Sequence, residues 1–376
     1  MKWEKVKLSE VTEYITDGDH QPAPKSDSGV LFVKIKDIQD NRLTFDNALF
    51  VPQEYYNRLP KNRKAEYGDT LYTVVGSYGI PAFVNHNIPF CFERNIALLH
   101  PNNRVIPKYL YYAVNNPIFY GNANNIANGS AQKLIPLSKL AGMEISVPPI
   151  ERQETIVNIL SAYDDLIENN QKQIKLLEEA AQRLYKEWFI DLRFPGHENV
   201  KIVDGVPEGW ENASVTDLLE IRYGKDHKGL ADGCIPVYGS GGIMRKVDKI
   251  LYSGESVLIP RKGSLNNILL VSGDFWTIDT MFYSVPKRPN VAKYVYLYLT
   301  GIDMYAMNIG AAVPSMSVKI LDGMRLLCPS DSILELFETT AKPYYEMIEL
   351  LKKKQSMLGE TRDRLLPKLM SGEIEV

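Results

Sequence analysis

The sequence predicts an α+β protein built as an internal repeat. We expect two similar β-rich α+β domains, separated by a pair of long antiparallel coiled-coil helices and related by a pseudo-twofold axis. Three observations predict this architecture. The second half of the 376-residue chain repeats the first. Each half ends in a long stretch with a heptad pattern, and the remainder consists of short β-like runs separated by Gly, Pro and Asn.

The repeat is clearest where each globular segment leads into its helix. "GSAQKLIPLSKLAGMEISVPP" at 129–149 aligns without a gap with "GAAVPSMSVKILDGMRLLCPS" at 310–330, so the two stretches are related by a constant offset. The same offset carries Ile167 onto Ile348 and Leu177 onto Leu358. The chain therefore divides into a first globular domain (1–146), a central helix (147–194), a second globular domain (195–328) and a C-terminal helix (329–376).

Each helical segment carries a row of residues at alternating spacings of four and three, as in a coiled-coil seam. Two helices of about 33 residues, each roughly 50 Å long, are natural partners when they occupy matching places in a repeat. Pro343 is expected to kink or end the first turns of the second helix. An amphipathic helix lying on a domain core is the alternative interpretation. The seam residues are Ile156, Leu160, Tyr163, Ile167, Asn170, Ile174, Leu177, Leu184 and Trp188 in the first helix, and Ile348, Leu351, Leu358, Leu365 and Leu369 in the second.

The globular domains are predicted from short apolar runs bounded by turn residues. "VLFVKIKDI", "DTLYTVVGS" and "RNIALLHP" in the first half, and "SVLIPRKGS", "NILLVSG" and "MFYSVP" in the second, are typical of strands. "PKYLYYAVNN" and "AKYVYLYLTG" predict one helix in each half. Tyrosines recur in these two segments at helical spacing, and we expect them to lie in the core. The domains should therefore present long exposed loops on a β-rich scaffold, where binding specificity usually resides.

Composition excludes several classes of protein. No apolar run reaches the roughly 18–20 residues of a membrane span, so no membrane partner is expected. The three cysteines lie far apart and the five histidines show no ligand spacing, which argues against a disulfide framework or a metal site and fits a cytoplasmic protein. The only Gly-Lys pair is followed by Asp226, so it is not a phosphate-binding loop. The net charge of −3 gives no sign of a nucleic-acid partner by itself.

The central segment resembles a known protein family. "VPPIERQETIVNILSAYDDLIENNQKQIKLLEEAAQRLYKEWFIDLRFPG", followed by "GVPEGWE", resembles the central conserved region of type I restriction-modification specificity subunits. "IPVYGSGGIM", "GESVLIPRKGSLNNI", "FWTIDTMFY" and "GAAVPSM" resemble segments of the family's target-recognition domains. The opening "ITDGDHQPAP" and "GVLFVKIKDI" resemble the start of its first domain. The resemblance covers essentially the whole chain, although the helix around Pro343 fits the family pattern less well than the first.

The resemblance implies a non-catalytic DNA reader. Each recognition domain would read one half of a split double-stranded DNA target, while the paired helices set the gap and dock two modification subunits. S-adenosylmethionine would belong to those modification subunits, and ATP and Mg to the restriction subunits, so this chain is expected to hold no cofactor or metal. The expected location is the cytoplasm of a bacterium or archaeon. A coiled-coil adaptor with two protein-binding domains, or an enzyme with an unrecognised site, are the alternatives.

The candidate DNA contacts are Arg, Lys, Asn, Gln, Ser or His side chains on loops, because such groups read base edges and phosphates. "RKGSLNN" is the strongest single cluster, because it joins adjacent cations and amides on a loop broken by Gly. The glycines of "YGSGG" would let backbone N–H groups approach a phosphate. The candidates are Lys25, Lys34, Lys36, Arg94, Ser130, Gln132 and Lys133 in the first domain, and Lys225, His227, Lys228, Ser240, Arg245, Arg261, Lys262, Asn266 and Asn267 in the second.

Overall fold

A computed structural model describes residues 3–46, 48–127, 133–308, 310 and 313–376. Its contacts divide the chain into two compact units. The first unit is Met1–Asn170 with Lys354–Val376, and the second is Gln171–Lys353. Each unit therefore joins one β-rich globular part to a portion of both long helices.

The first unit has a β-rich globular part with short helices between the strands. Its strands are β1 (Glu4–Lys7), β2 (Thr12–Asp17), β3 (Val30–Val33), β4 (Ile38–Gln39), β5 (Arg42–Leu43), β6 (Leu49–Val51), β7 (Thr70–Thr73), β8 (Pro81–Phe83), β9 (Phe90–Phe92), β10 (Ile96–Pro101) and β11 (Glu144–Val147). Its helices are α1 (Leu8–Val11), α2 (Gln53–Arg58), α3 (Pro107–Val114), α4 (Pro117–Ile126) and α5 (Leu137–Ala141). Short 3-10 turns lie at Ile35–Asp37 and Lys61–Arg63.

Two sheets organise these strands. An antiparallel sheet has the order β2-β10-β7-β8, and a mixed sheet has β3 between β6 and β9, with β3 parallel to β9. β7 is buried along its whole length, because both faces of the antiparallel sheet are covered. α3 begins at Pro107. Proline suits this position, because the N–H that it lacks would have no hydrogen-bond partner in the first turn of a helix. The helix buries Tyr109 and Leu110 in the core.

The first long helix, α6, spans Ile150–Tyr185 and continues as a π-helical turn over Lys186–Ile190. After it come β12 (Ile202–Val203), β13 (Val206–Pro207), β14 (Glu211–Ser214), β15 (Leu219–Tyr223), β16 (Asp232–Gly239), β17 (Gly242–Val247), β18 (Tyr252–Ser253), β19 (Ser256–Pro260), β20 (Leu269–Val271), β21 (Asp274–Thr277), β22 (Met281–Pro286) and β23 (Arg325–Cys328). The helices of this part are α7 (Val215–Leu218), α8 (Ala292–Thr300) and α9 (Val318–Gly323), with short 3-10 turns at His197–Asn199 and Met304–Met307. The second long helix, α10, spans Asp331–Ser371.

The predicted internal repeat is confirmed by the main sheets of the two units. The antiparallel sheet β15-β22-β19-β20 has the same topology as β2-β10-β7-β8, and β14 pairs with β23 as β1 pairs with β11. The parallel pair of β16 with β21 matches that of β3 with β9. The isolated bridges Val75–Leu134 and Lys262–Ser315 also correspond, since the offset that aligns the two halves carries Leu134 onto Ser315.

The expected tyrosine core is also confirmed. Tyr109, Tyr111, Tyr112 and Tyr294 are buried, while Tyr296 and Tyr298 pack against the core of the second unit. The hydroxyl of Tyr109 donates to the Ser146 carbonyl, and that of Tyr294 donates to the Leu327 carbonyl. Since the same offset carries Ser146 onto Leu327, the repeat extends to single hydrogen bonds.

The prediction that Pro343 ends the first turns of the second helix is wrong, because α10 is continuous through it. Pro343 cannot donate to the carbonyl of Thr339, and its ring normally disfavours a helix interior. Pro343 is exposed, however, so water can reach the carbonyl that it leaves unpaired. Packing of the opposite face, which includes the fully buried Phe337 and Ala341, holds the helix together.

The two long helices pack against each other within each unit. In the first unit, Arg362 donates to Asp164 at 2.8 Å, and Leu160 shares a cluster with Leu366 and Leu369. The later residue of α6, Asp164, thus meets an earlier residue of α10 than Leu160 does. The two helices therefore run antiparallel in this unit. In the second unit, Ile174 packs with Ile348 and Leu351.

Burial follows the seam, but the ends of the helices also enter the globular cores. Ile156, Leu160, Ile167, Asn170, Ile174, Trp188, Ile348, Leu351 and Leu369 are buried, whereas Tyr163, Leu177, Leu184, Leu358 and Leu365 are half-buried. Ile156 and Leu160 belong to the core of the first globular part, and Trp188 to that of the second. The same two helices therefore pair with each other and also pack on the cores of the globular parts.

Candidate nucleic-acid interface

Three candidate cations of the first unit lie on different segments around one cavity. Lys25, Lys34 and Arg94 line one open cavity of about 400 Å³. Lys25 lies on the loop from β2 to β3, Lys34 follows β3, and Arg94 follows β9. Because β3 and β9 are parallel neighbours, their carboxyl ends meet at one edge and bring Lys34 beside Arg94.

Gly18 makes this junction possible. A Cβ on Gly18 would lie 2.0 Å from the carbonyl oxygen of Phe92, so only glycine allows the loop to pass β9 so closely. Gly224 occupies the same place in the second unit, where a Cβ would lie 2.0 Å from the carbonyl oxygen of Ile278. Each unit therefore starts a polar loop at an equivalent close backbone crossing.

Acidic groups in the first cavity are bound by neighbouring side chains. Asp19 accepts hydrogen bonds from the Tyr55 hydroxyl at 3.0 Å and from Arg63 at 3.2 Å. Burial and the bond to Asp19 raise the pKa of Tyr55, which keeps the phenol as a donor. Glu93 accepts from the backbone N–H of Ile35 at 2.8 Å. Pairing of these carboxylates reduces their repulsion of a phosphate near the exposed Lys25 and Arg94.

The other candidates of the first domain lie elsewhere. Lys36 is exposed on the 3-10 turn after β3 and does not line the cavity. Lys133 donates to Asn124 at 3.0 Å and stands 5.8 Å from the ring centre of Tyr78. Ser130 and Gln132 lie outside the described residues.

The corresponding loop of the second unit carries Lys225, His227 and Lys228. The Lys225 N–H donates to Thr277 at 2.8 Å, and the indole of Trp276 donates to the Lys225 carbonyl at 2.9 Å. These two bonds fix the backbone, while the side chains of Lys225 and Lys228 are exposed. Within the described ranges, the buried Nδ1 of His227 has no hydrogen-bond partner.

The "RKGSLNN" loop brings a second group together. Arg261 donates to the Asp279 carbonyl at 3.2 Å and lies 5.4 Å from the ring centre of Tyr223, in a cation-π contact. Asn267 donates to the Ser240 carbonyl at 2.8 Å, which joins this loop to the "YGSGG" turn. The side chain of Lys262 is exposed, and its backbone forms an isolated β-bridge with Ser315. These candidates therefore form one polar surface.

Two candidates are engaged in internal bonds. Arg245 donates to the Leu230 carbonyl at 2.9 Å and to Asp232 at 3.0 Å. Asn266 donates to Asp303 at 3.1 Å and accepts from the backbone N–H of Met304 at 2.8 Å. Both side chains hold neighbouring loops in place, and reading a base would require these bonds to break.

Sequence reasoning missed some polar side chains of these surfaces. His20 and Gln21 line the first cavity, and Tyr223 is 55% exposed beside Arg261. The position of Gly18 and Gly224, each directly after a strand, is the signal that could have identified both loops. Tyr223 ends β15 and resembles an ordinary strand residue, so its exposure could not be foreseen.

Several known proteins are similar to this chain in sequence and in fold. Residues 1–179 match the family model described as "Type I restriction modification DNA specificity domain". The type I restriction enzyme MjaIX specificity subunit of Methanocaldococcus jannaschii is 28% identical over an alignment of 320 residues, and the alignment covers 77% of this chain and 74% of the relative. The HindI specificity subunit of Haemophilus influenzae is 21% identical, over 92% of this chain and 94% of the relative.

Over residues 1–179 the chain matches the type I restriction modification DNA specificity domain, and over most of its length it is similar to type I restriction enzyme specificity subunits. The fold agrees with this similarity. The crystal structure of the S subunit of a type I restriction-modification system from M. genitalium aligns with a TM-score of 0.58 at 18% identity, and the alignment covers 98% of this chain and 96% of that one. At such an identity the alignment supports the fold alone, including its two globular parts and long helices.

None of the described helices is long and apolar enough to cross a membrane.

Proposed function

We propose that this chain is the specificity subunit of a type I restriction-modification complex and recognises a bipartite double-stranded DNA sequence, each globular part reading one half. One observation carries the proposal most directly. The two units repeat a single scaffold, and each starts a loop that bears cations at the same close backbone crossing, Gly18 in one and Gly224 in the other. Two copies of one reading surface on one chain suit two half-sites.

The proposal assigns the chemistry to partner subunits. Two modification subunits would dock on the chain, supplying S-adenosylmethionine and adenine methylation, while restriction subunits would bring ATP, Mg and cleavage. Among the described residues, no group of three His, Cys, Asp or Glu side chains is arranged to hold a metal ion. The net charge of −3 fits a reader whose partners supply part of the attraction to phosphates.

Mapping of methylated adenines in cells that carry the whole system tests the proposal. We expect a target of two short motifs with a fixed unspecified gap. A matched strain carries Lys25→Ala and Arg94→Ala together, which should relax only one of the two motifs, because both side chains belong to the first reading surface. A single contiguous motif, or equal loss at both motifs, would contradict the proposal.

The alternative functions are tested on the chain itself. A gel-shift experiment with and without modification subunits separates a DNA reader from an adaptor, since an adaptor gives no sequence-specific shift in either case. A methyltransferase assay on the isolated chain, supplied with S-adenosylmethionine and DNA, should give no turnover. Turnover there would show that the chain is itself an enzyme.

A further inference from the structure

The second unit contains an open groove at the edge of its antiparallel sheet. β20 pairs only with β19 in the described part of the chain, so its other edge is available for backbone hydrogen bonds. Two adjoining cavities of about 780 and 460 Å³ both contact Leu269 and Leu270 on that strand. Both also contact Tyr345 on α10, so they form one groove between the strand and the helix.

The groove combines an apolar floor with acidic walls. Leu269, Leu270 and Val271 are half-buried, and Ile243 nearby is 61% exposed. The two cavities are lined by more carboxylates than cations, so their net charge is negative. The carboxylates are Glu178, Glu179, Glu255, Glu338, Glu346 and Glu349, and the cations are Lys293, Lys342 and Lys352. This charge disfavours a DNA phosphate and favours a cationic apolar ligand.

Two residues that line the larger cavity, Glu338 and Tyr345, each carry a buried polar atom. Within the part of the chain that the structure describes, neither Oε2 of Glu338 nor the hydroxyl of Tyr345 has a hydrogen-bond partner. Glu338 already accepts from Lys293 at 2.6 Å through its other oxygen. Buried polar atoms in native proteins are almost always paired, so these two point to a ligand that donates hydrogen bonds. A Lys or Arg side chain has the required donors.

The first unit shows what fills the equivalent place. There the edge strand is β8, the counterpart of β20, and the hairpin β4-β5 packs against it. Leu43 of that hairpin joins the cluster of Ala82, and the Tyr111 hydroxyl donates to the Asn41 carbonyl at 3.2 Å. Arg42 lies between these two hairpin residues. The chain thus covers its first sheet edge with an extended segment that carries one basic and one apolar side chain.

In the second unit the hairpin has no counterpart. β17 pairs antiparallel with β16 as β6 pairs with β3, and it follows β16 after only residues 240–241, so no segment between these strands crosses to β20. Tyr296, which corresponds to Tyr111, lines the groove and contacts Tyr345 at 6.3 Å between ring centres. The receiving surface is therefore kept, while the second unit has no segment equivalent to the hairpin that packs there in the first unit.

We propose that this groove binds an extended segment of a partner protein, with apolar and basic side chains, added as a further strand on β20. Its backbone would pair with Leu269–Val271, its apolar side chains would pack on Leu270, and a Lys or Arg would reach Glu338 and Tyr345. The segment would take in trans the place that the β4-β5 hairpin takes in cis. This proposal stands independently of DNA reading.

The test uses the full chain and a fluorescein-labelled peptide, RLTVRLTV, followed by fluorescence anisotropy. The matched peptide ELTVELTV keeps the apolar residues and reverses the charge, and a backbone N-methylated RLTVRLTV cannot add as a strand. We expect binding of RLTVRLTV alone, with about tenfold weaker binding by the Glu349→Lys variant. Glu335→Lys, an exposed change on α10 outside both cavities, should bind as the unmodified chain does.

Hydrogen exchange locates the bound peptide. Saturation with RLTVRLTV should slow exchange at the amides of 269–271. The proposal is overturned if RLTVRLTV fails to bind up to about 1 mM, if all three peptides bind alike, or if the two helix variants behave alike. It is also overturned if these amides are unaffected. Protection that grows with protein concentration in the absence of peptide would assign the groove to a second copy of the chain, which equally rejects a partner segment.

Discussion

Lys293 offers a direct measurement of what a buried ion pair contributes to the second unit. Its ammonium lies 2.6 Å from Glu255 and 2.6 Å from Glu338, and its side chain is only 8% exposed. Replacement of Lys293 by Met keeps an unbranched side chain that is one atom shorter, and it removes the charge. The two carboxylates then lose their common partner in a partly dehydrated position.

The expected cost follows from the remaining exposure of these carboxylates. Breaking a buried pair by removing one partner costs about 3–5 kcal/mol. The side chains of Glu255 and Glu338 are 31% and 19% exposed, so water recovers part of the loss and the lower end applies. With a urea slope of about 2 kcal/mol per M, a loss of about 3 kcal/mol lowers the midpoint by roughly 1.5 M.

Urea unfolding followed by tryptophan fluorescence measures this change. Trp188, Trp210 and Trp276 lie in the second unit, so a Trp3→Phe background makes the signal report on that unit. The control is Lys342→Met, because Lys342 is 62% exposed beside Glu346 and its loss should cost less than about 0.5 kcal/mol.

A compensated variant separates lost pairing from lost packing. Replacement of Glu255 and Glu338 by Gln in the Lys293→Met background should recover much of the stability, because no unpaired carboxylate remains. If Lys293→Met costs no more than Lys342→Met, then the ammonium is not part of a buried ion pair and the reasoning fails.

The pH dependence of the same variant has a defined sign. Burial disfavours the charged form of Lys293, but the hydrogen bonds with Glu255 and Glu338 outweigh it and raise the pKa. A cation with a raised folded pKa contributes its full stability below the pKa of the unfolded chain, about 10.4, and loses it as the pH rises through the folded value. The stability difference between the unmodified chain and Lys293→Met should therefore be constant from about pH 7 to 9 and shrink in stronger alkali.

Three further predictions concern other parts of the chain. Arg261→Ala should weaken sequence-specific DNA binding by the assembled complex and reduce the slope of log K against log salt by about one. Asn266→Ala, in contrast, should mainly lower stability by loosening its loop. Equal slopes for both variants would reject Arg261 as a phosphate contact. Gly224→Ala should lower the free energy of unfolding in urea by more than about 1 kcal/mol, because the added Cβ would overlap the Ile278 carbonyl. An unchanged free energy of unfolding would show that the two backbone segments lie farther apart than described. Iodoacetamide should label the exposed Cys234 in the native protein and leave Cys91 unmodified, because burial raises the pKa of Cys91 to about 12. If mass spectrometry finds Cys91 modified at the same rate as Cys234, the result contradicts the burial of Cys91.

Periodicity and repetition explain how much of the fold was predictable. The constant offset between the two halves and the heptad rows depend on local spacing, so they foretold the repeated scaffold and both long helices. Pro343 was misjudged because local propensity gives way to packing of the opposite helix face around Phe337. The hairpin β4-β5 lies between β3 and β6 and has no counterpart between β16 and β17, and the repeat in the sequence did not indicate this difference.

The candidate site was predictable as a set of loops but not as a set of contacts. Lys25, Lys34 and Arg94 meet at one edge because the parallel pairing of β3 with β9 brings distant segments together. Arg245 and Asn266 bond to partners well separated from them along the chain, Asp232 and Asp303, which only the folded chain reveals. Long-range partners decide whether a polar loop residue is available to a ligand. The DNA contacts therefore remain predictions for the variants described above.

The pairing of β1 with β11 and of β14 with β23 has a consequence for how such proteins can change. In each globular part the first strand lies hydrogen-bonded beside the last, so the polypeptide enters and leaves at neighbouring points. Everything between those points can be replaced by a different sequence of different length without moving the ends that join it to the rest of the chain. A new recognition half could thus be acquired in one recombination event, with the remaining half inherited intact.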